Sequence, residues 1–154
     1  MREHLSFQLL DTVYVYSQQL PNGVMPFMEL KGIEGPSYIL KKTDAQRNNS
    51  SYIFPCRCLL LNQQTKLSAV GITAKIATAL ASEKIPCNVV AGYHHDYFFV
   101  PEENANRALH ILQTIWLPLK GVLKFQNGDV LMERINENFL PLNKEERIRH
   151  DRIK

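Results

Sequence analysis

Cys87-Asn88-Val89-Val90-Ala91-Gly92-Tyr93-His94-His95-Asp96-Tyr97-Phe98-Phe99-Val100-Pro101 is the stretch on which the fold turns. An apolar, β-branched run is followed by a glycine and short polar residues, and then by an aromatic run. That order predicts two strands joined through a turn at residues 92–96. The flanks are helical. Upstream, residues 70–84 place Ile72, Ile76, Ala79 and Leu80 at i, i+4, i+7 and i+8, the stripe of an amphipathic helix. Ser68 stands as its N-cap, and Pro86 forbids continuation. Downstream, Pro101 takes the first helical position, with Glu102 and Glu103 in the first turn. Ala105, Ala108, Leu109, Leu112 and Ile115 form the apolar face of this second helix, which stops before Pro118.

Further out, Arg57-Cys58-Leu59-Leu60-Leu61 reads as a buried strand. Val122-Leu123-Lys124-Phe125 and Val130-Leu131-Met132-Glu133 flank Gln126-Asn127-Gly128-Asp129, and Asn-Gly between apolar runs is a strong hairpin signal. From Arg57 to Phe125 the order is strand, helix, strand, strand, helix, strand. This is the βαββαβ ferredoxin-like unit, with both helices on one face of an antiparallel sheet. The expected class is an α+β sandwich with an additional β-rich N-terminal half.

That half begins with Thr12-Val13-Tyr14-Val15-Tyr16, a strand, which ends at the turn residues Leu20-Pro21-Asn22-Gly23. Residues 25–30 are apolar but short and carry a proline, and Ser37-Tyr38-Ile39-Leu40 follows as a strand. The polar residues 44–51 read as an exposed loop and as the boundary between two subdomains. The chain accordingly divides into residues 1–54, a β-rich half; 55–126, the βαββαβ unit; and 127–154, the end of the hairpin and a charged tail.

The whole chain has 154 residues, 45% hydrophobic and 21% charged, which excludes a disordered polar tail protein. Of the formal net charge of +3, the tail supplies +2, from Lys144, Arg147, Arg149, Arg152 and Lys154 against Glu145, Glu146 and Asp151. Alternating signs there read as a solvated helix rather than a phosphate-binding arm. The aromatics at residues 97–99 invite comparison with an RNA-binding sheet, but no Lys or Arg lies between Lys84 and Arg107, so no nucleic-acid partner is expected. No run approaches the ~20 apolar residues of a membrane span, and no leader is visible at the N-terminus. Three cysteines cannot all pair, and Cys56-Arg57-Cys58 lacks the second pair of a zinc site. Cytoplasmic residence with reduced, buried thiols is the expectation.

Catalytic motifs are missing: no G-x-S-x-G, Walker loop, H-E-x-x-H or G-x-G-x-x-G occurs. His94, His95 and Asp96 offer two imidazoles and a carboxylate, but consecutive residues seldom converge on one metal ion. A polar turn explains them, so no metal is assigned. Gly71, where a strand hands over to a helix, is more informative. A glycine there lets a ligand or neighbouring chain approach the backbone, and free N–H groups at a helix start attract carboxylates; close helix–sheet packing explains it as well.

Val70-Gly71-Ile72-Thr73-Ala74, the stretch Ile85-Pro86-Cys87-Asn88-Val89-Val90-Ala91-Gly92-Tyr93-His94-His95-Asp96 and Phe99-Val100-Pro101 together resemble the ACT domain family, and in particular its short, stand-alone ACT-only proteins. The resemblance covers residues 58–112 and, more faintly, 14–40, where Phe27, Glu29 and Glu34-Gly35 fall in order. It implies two tandem ACT-like halves, the first degenerate. It also implies a non-catalytic regulatory module without a cofactor that binds a small molecule, typically an amino acid, and pairs with a second copy. By resemblance the ligand lies at Ala69, Val70, Gly71 and Ile72, near Asn88 and Val89. Backbone amides would take its carboxylate, and a carbonyl or Asn88 its ammonium. The turn Ser68-Ala69-Val70-Gly71 departs from the family's polar residue followed by Pro-Gly. Two other readings stay open: an assembly module without ligand, or a small enzyme or metal site at His94, His95 and Asp96.

Overall fold

Strand-forming residues dominate the order of elements in a computed structural model of the chain, which describes residues 2–63, 65, 67–118, 123–124 and 130–131. The strands are β1 (Arg2–His4), β2 (Phe7–Ser17), β3 (Met28–Gly32), β4 (Gly35–Lys41), β5 (Ile53–Leu61), β6 (Asn88–Ala91), β7 (Asp96–Pro101), β8 (Trp116–Pro118), β9 (Leu123–Lys124) and β10 (Val130–Leu131). The helices are α1 (Lys42–Arg47), α2 (Ile72–Ser82) and α3 (Ala105–Gln113). Six strands form one antiparallel sheet in the order β3-β4-β2-β5-β7-β6. A short ladder pairs β1 with β8, and another pairs β9 with β10 on either side of Asn127-Gly128.

Period-two alternation on the sheet divides the core. Leu59, Leu61, Phe98 and Val100 face Ile72, Ile76 and Leu80 of α2 and Ala105, Ala108 and Leu112 of α3. Their neighbours Cys56, Cys58 and Phe99 point the other way and join Tyr14 and Ile39. On that reverse face Phe27 stacks on Tyr14 with ring centroids 4.4 Å apart and meets Phe99 and Tyr97 edge-on. The α+β, ferredoxin-like class holds: β5, α2, β6, β7 and α3 follow the expected order.

The fourth place in that unit is filled differently from the sequence expectation. A ferredoxin-like sheet seats its last strand beside its first, and 122–125 was expected there. The structure puts β2 beside β5, paired from Phe7↔Leu61 to Tyr16↔Ile53, while among the described residues Leu123 and Lys124 pair with β10. The result is a pseudo-twofold arrangement about the β2–β5 seam. β4 and β7 lie outside the central pair and β3 and β6 at the edges, with α1 following β4 and α3 following β7. The counterpart of α2 is missing, because irregular chain connects β2 to β3.

Three local expectations are corrected. Residues 44–51 are not simply a loop, since α1 occupies Lys42–Arg47 and buries Ala45 against Val15 and Leu40. One buried methyl in a polar sequence leaves almost no periodic signal. Pro101 closes β7 with ψ 141° instead of opening a helix, and a 3₁₀ turn at Glu102–Asn104 leads into α3. Ser68 does not cap α2; the N-cap is Gly71. The charged tail at 144–154 lies outside the described residues. No helix among the described residues is long and apolar enough to cross a membrane.

Two irregularities fix the β2–β5 seam. Where register shifts between Leu9 and Val13, Arg57 reaches across so that Nε and Nη2 donate to the Leu10 carbonyl at 3.1 and 3.0 Å, and Nη2 lies 3.6 Å from Asp11. At the second shift, between Tyr14 and Tyr16, Phe54 adopts φ 54° and sets its ring against Tyr16.

Helix α2 ends on Lys84 at φ 58°, with the Ile85 amide donating to the Leu80 carbonyl at 3.0 Å. Left-handed backbone just past a helix end favours glycine. Lys84→Gly is therefore expected to stabilise the protein by about 0.5–1 kcal/mol. Urea denaturation checks this; an unchanged or lowered midpoint refutes it.

Candidate functional site

Chain leaving β5 is first tied back to the N-terminal strand. The Asn62 amide donates to the Ser6 carbonyl at 2.9 Å, and its side-chain Nδ2 donates to Ser6 Oγ at 2.8 Å. Gln63 then imitates a strand neighbour: its Oε1 accepts the Ser6 amide at 3.1 Å, and its Nε2 donates to the His4 carbonyl at 2.8 Å. Held at its base, this chain turns over the end of the sheet and enters α2 at Gly71, whose φ of 91° is a left-handed conformation. No side chain caps the helix start. The first amides of α2 therefore lack intrahelical acceptors and carry the positive end of the helix dipole.

Beneath that helix start, Ala91 and Asp96 face each other as the closing pair of β6 and β7. Gly92 and His95 follow, with the Gly92 amide donating to the His95 carbonyl at 2.9 Å. A Cβ on Gly92 would come within 2.7 Å of that oxygen, so the tight reversal requires glycine. Alternation places Asp96 on the same face as Phe98 and Val100, looking toward α2. Asp96 is only 8% exposed, and Oδ2 accepts the Thr65 hydroxyl at 2.8 Å. Among the described residues, Thr65, Leu67, Ala69, Ile72, Thr73, Ala91 and Asp96 line a half-open pocket of about 60 Å³. It combines an uncapped helix start, a buried carboxyl group and small apolar walls.

Of the residues assigned from sequence, Ala69 and Ile72 line this cavity and Gly71 opens the helix above it. Val70 lies between them, 45% exposed. Asn88 and Val89 are not brought there. They stand at the opposite end of β6 from Ala91, where Asn88 pairs with Phe99 on the face turned away from α2 and Val89 packs in the core beneath α2. Asp96 was named from sequence only for the alternative site with His94 and His95, and Thr65 was not assigned. Period-two alternation from Phe98 could have placed Asp96 under the helix start, but nothing local marks Thr65.

His94, His95 and Asp96 have three different partners. His94 sets its ring against Tyr93, His95 Nδ1 lies 3.2 Å from the Leu61 carbonyl, and Asp96 takes Thr65. No group of three metal-ligating side chains exists among the described residues. The thiols are free: Cys56 and Cys58 are fully buried and Cys87 is partly so. Burial pushes Cys56 and Cys58 up to about 12 and Cys87 up to about 11. All three remain neutral thiols, poor nucleophiles and poor metal ligands.

Comparison with known proteins bears on the same region. Residues 54–114 match the family model described as the ACT domain. No curated protein matches the chain. Among solved structures, a Vibrio cholerae protein of unknown function is 31% identical, with a TM-score of 0.63 over 70% of this chain and 87% of its own. A protein from Agrobacterium tumefaciens is 15% identical, with a TM-score of 0.57 over 71% of this chain and 87% of its own. The regulatory subunit of aspartate kinase from Thermus thermophilus, ligand-free, is 16% identical, with a TM-score of 0.51 over 70% and 92%. The last two show likeness of fold alone.

Gly71→Ala forces a side chain into left-handed backbone and is expected to destabilise the protein by about 1–2 kcal/mol. A denaturation midpoint equal to that of the unsubstituted protein would contradict this. The thiols supply a pH dependence. In the unfolded chain they ionise near 9.0, whereas the folded chain holds them neutral up to about 11–12. Unfolding thus releases protons at high pH, so their stabilisation is complete below pH 9.0 and falls as pH rises toward 12. Alkylation by iodoacetamide should be slow in the folded protein and fast in denaturant; equal rates would refute the burial argument.

Proposed function

The chain belongs to the ACT domain family, and from that premise we propose that it is a regulatory module that binds an amino acid at the β5–α2 junction. The observation that carries this reading is the cavity under the uncapped start of α2, entered through the left-handed Gly71. Amides there are oriented toward incoming negative charge, as a ligand carboxylate requires. Ala69, Val70, Gly71 and Ile72 supply the backbone of that cradle. The pseudo-twofold counterpart of the junction, at Gln18 and the β3–β4 turn, is an open depression. It has no helix start, because no helix follows β2. Ligand binding is accordingly assigned to the second half only.

The ligand of a regulatory module acts by altering the contacts that the module makes with a neighbouring domain or chain. We propose pairing with a second copy through a sheet edge. Among the described residues, β3 and β6 end the sheet without a further neighbour, and such strands expose unpaired N–H and C=O groups.

Thermal denaturation with each common amino acid at millimolar concentration tests the binding reading. A ligand that binds only the native state raises the melting temperature, by about 2.7 kcal/mol of stabilisation at one hundred times Kd. At least one amino acid is expected to do so, and a flat response across the set refutes the reading. Light scattering tests the pairing: a mass near twice the 17.7 kDa chain supports it, and a monomer at high concentration refutes it.

A further inference from the structure

Asn22-Gly23 lies in the connection from β2 to β3, upstream of the Phe27 ring that packs on Tyr14 and Phe99. We infer that this pair is a site of spontaneous covalent modification. The Gly23 amide closes on the Asn22 side chain and converts the asparagine to aspartate and isoaspartate. The reactants are the chain itself, hydroxide and water.

Ring closure makes two demands. The attacking nitrogen must be free of a hydrogen-bond acceptor, and no side chain must crowd the residue that bears it. Both are met at this turn. Pro21-Asn22-Gly23-Val24 is closed by one hydrogen bond, from the Val24 amide to the Pro21 carbonyl at 3.2 Å. Among the described residues, no hydrogen bond engages the Gly23 amide or the Asn22 side chain. Both residues are exposed, and Gly23 takes φ 76° with open space where a Cβ would stand. Glycine also lets the backbone rotate through conformations closed to other residues. The flanking amides are held, Gln19 by Ser17 Oγ at 3.0 Å and Phe27 by the Ile39 carbonyl at 2.8 Å. Opening the turn breaks one hydrogen bond and leaves the ladders of β2 and β3 with β4 intact.

The other described asparagines are placed differently. Asn49 precedes Ser50, whose amide donates to the Ala45 carbonyl at 2.9 Å, and Asn48 precedes Asn49, whose amide donates to the Gln46 carbonyl at 3.2 Å. Asn62 is held through its side chain by Ser6 Oγ. Asn88, Asn104 and Asn106 lie within β6, the 3₁₀ turn and α3. The second Asn-Gly pair of the sequence, Asn127-Gly128, lies outside the described residues.

Hydroxide removes the proton of the Gly23 amide, and the nitrogen forms a bond to Asn22 Cγ. The Cγ–Nδ2 bond breaks, and the leaving nitrogen takes a proton from water and departs as ammonia. Water then opens the cyclic imide. Cleavage between the Gly23 nitrogen and Cγ gives aspartate; cleavage between that nitrogen and the main-chain carbonyl carbon of residue 22 gives isoaspartate. Nothing is oxidised or reduced. Either product adds a carboxylate and lowers the formal net charge of +3 by one. Isoaspartate also lengthens the connection to Phe27 by one methylene.

Incubation of the full chain at neutral and at mildly alkaline pH, followed by trypsin digestion and mass spectrometry, tests this. Residues 3–31, 48–57 and 125–134 form separate peptides, so the two Asn-Gly pairs are read apart. The peptide of Asn22 should gain about one mass unit, faster at the higher pH and at least tenfold faster than the peptide of Asn48 and Asn49. Isoaspartate should be among its products, and Gly23→Ala should slow the gain at least tenfold. Folded chain and chain unfolded in guanidinium should react at Asn22 within tenfold of each other, a comparison that needs no variant. Aspartate without isoaspartate overturns attack by the Gly23 amide. An unchanged Asn22 peptide beside a reacting 125–134 peptide, or a folded chain more than tenfold slower than the unfolded one, overturns the site.

Discussion

Antiparallel pairing of β2 with β5 is the constraint on which the other elements depend. The ladder runs from Phe7↔Leu61 to Tyr16↔Ile53, and it is the seam across which the two three-stranded halves of the sheet meet. Its register decides which side chains face the helices. Leu59 and Leu61 lie under α2 and α3 only because Cys56 and Cys58 point to the reverse face. A one-residue slip would exchange those sets and put thiols beneath the helices. Arg57 acts against such a slip, because its guanidinium satisfies the Leu10 carbonyl that the shift after Leu9 frees from the ladder. A side-chain donor at an irregularity turns a potential unsatisfied acceptor into a fixed point of register.

Across the same seam the two halves differ at one place, the exit of the central strand. Each central strand ends at a hairpin of its own half, so each half could in principle build a ligand site at the strand exit. After β5 the chain rises into an 11-residue helix whose start overlooks the hairpin. After β2 it makes a turn at Pro21–Val24 and returns directly to β3. Without a helix there is no dipole and no row of free amides, and the depression at the β3–β4 turn stays open. The lost helix also changes what the half must do to bury apolar surface. Phe27, from the connection that replaces it, folds onto Tyr14 and Phe99 across the reverse face.

Much of this architecture was legible from residue pattern, and the failures share a cause. The hairpin at residues 88–100, both long helices and the strands at 12–16, 37–40 and 57–61 have strong periodicity, and all are found. The identity of the strand beside β5 was not legible, because period and composition say that a segment is a strand but not with which strand it pairs. Helix α1 hides behind polar residues, with Ala45 as its single buried contact point. Pro101 was ambiguous because φ near −65° suits both an extended end and a helix start, and only its ψ separates them. Of the candidate site, Gly71 at the helix entrance was legible from its place between strand and helix, whereas Asn88, assigned by resemblance, stands on the reverse face of its strand.

That last difference bears on where the site lies. Asn88 stands at the far end of β6 on the reverse face, whereas Ala69, Ala91, Ile72 and Asp96 border one half-open pocket beside the start of α2. The walls of that space belong to the chain between β5 and α2 on one side and to the sheet on the other, and Gln63 binds the first of these to β1. The α2 junction is therefore tied to the β1–β8 ladder, where His4 lies against Trp116 and Lys75 of α2 donates to the Trp116 carbonyl, so the start of α2, the N-terminal strand and the chain leaving α3 are held at one place.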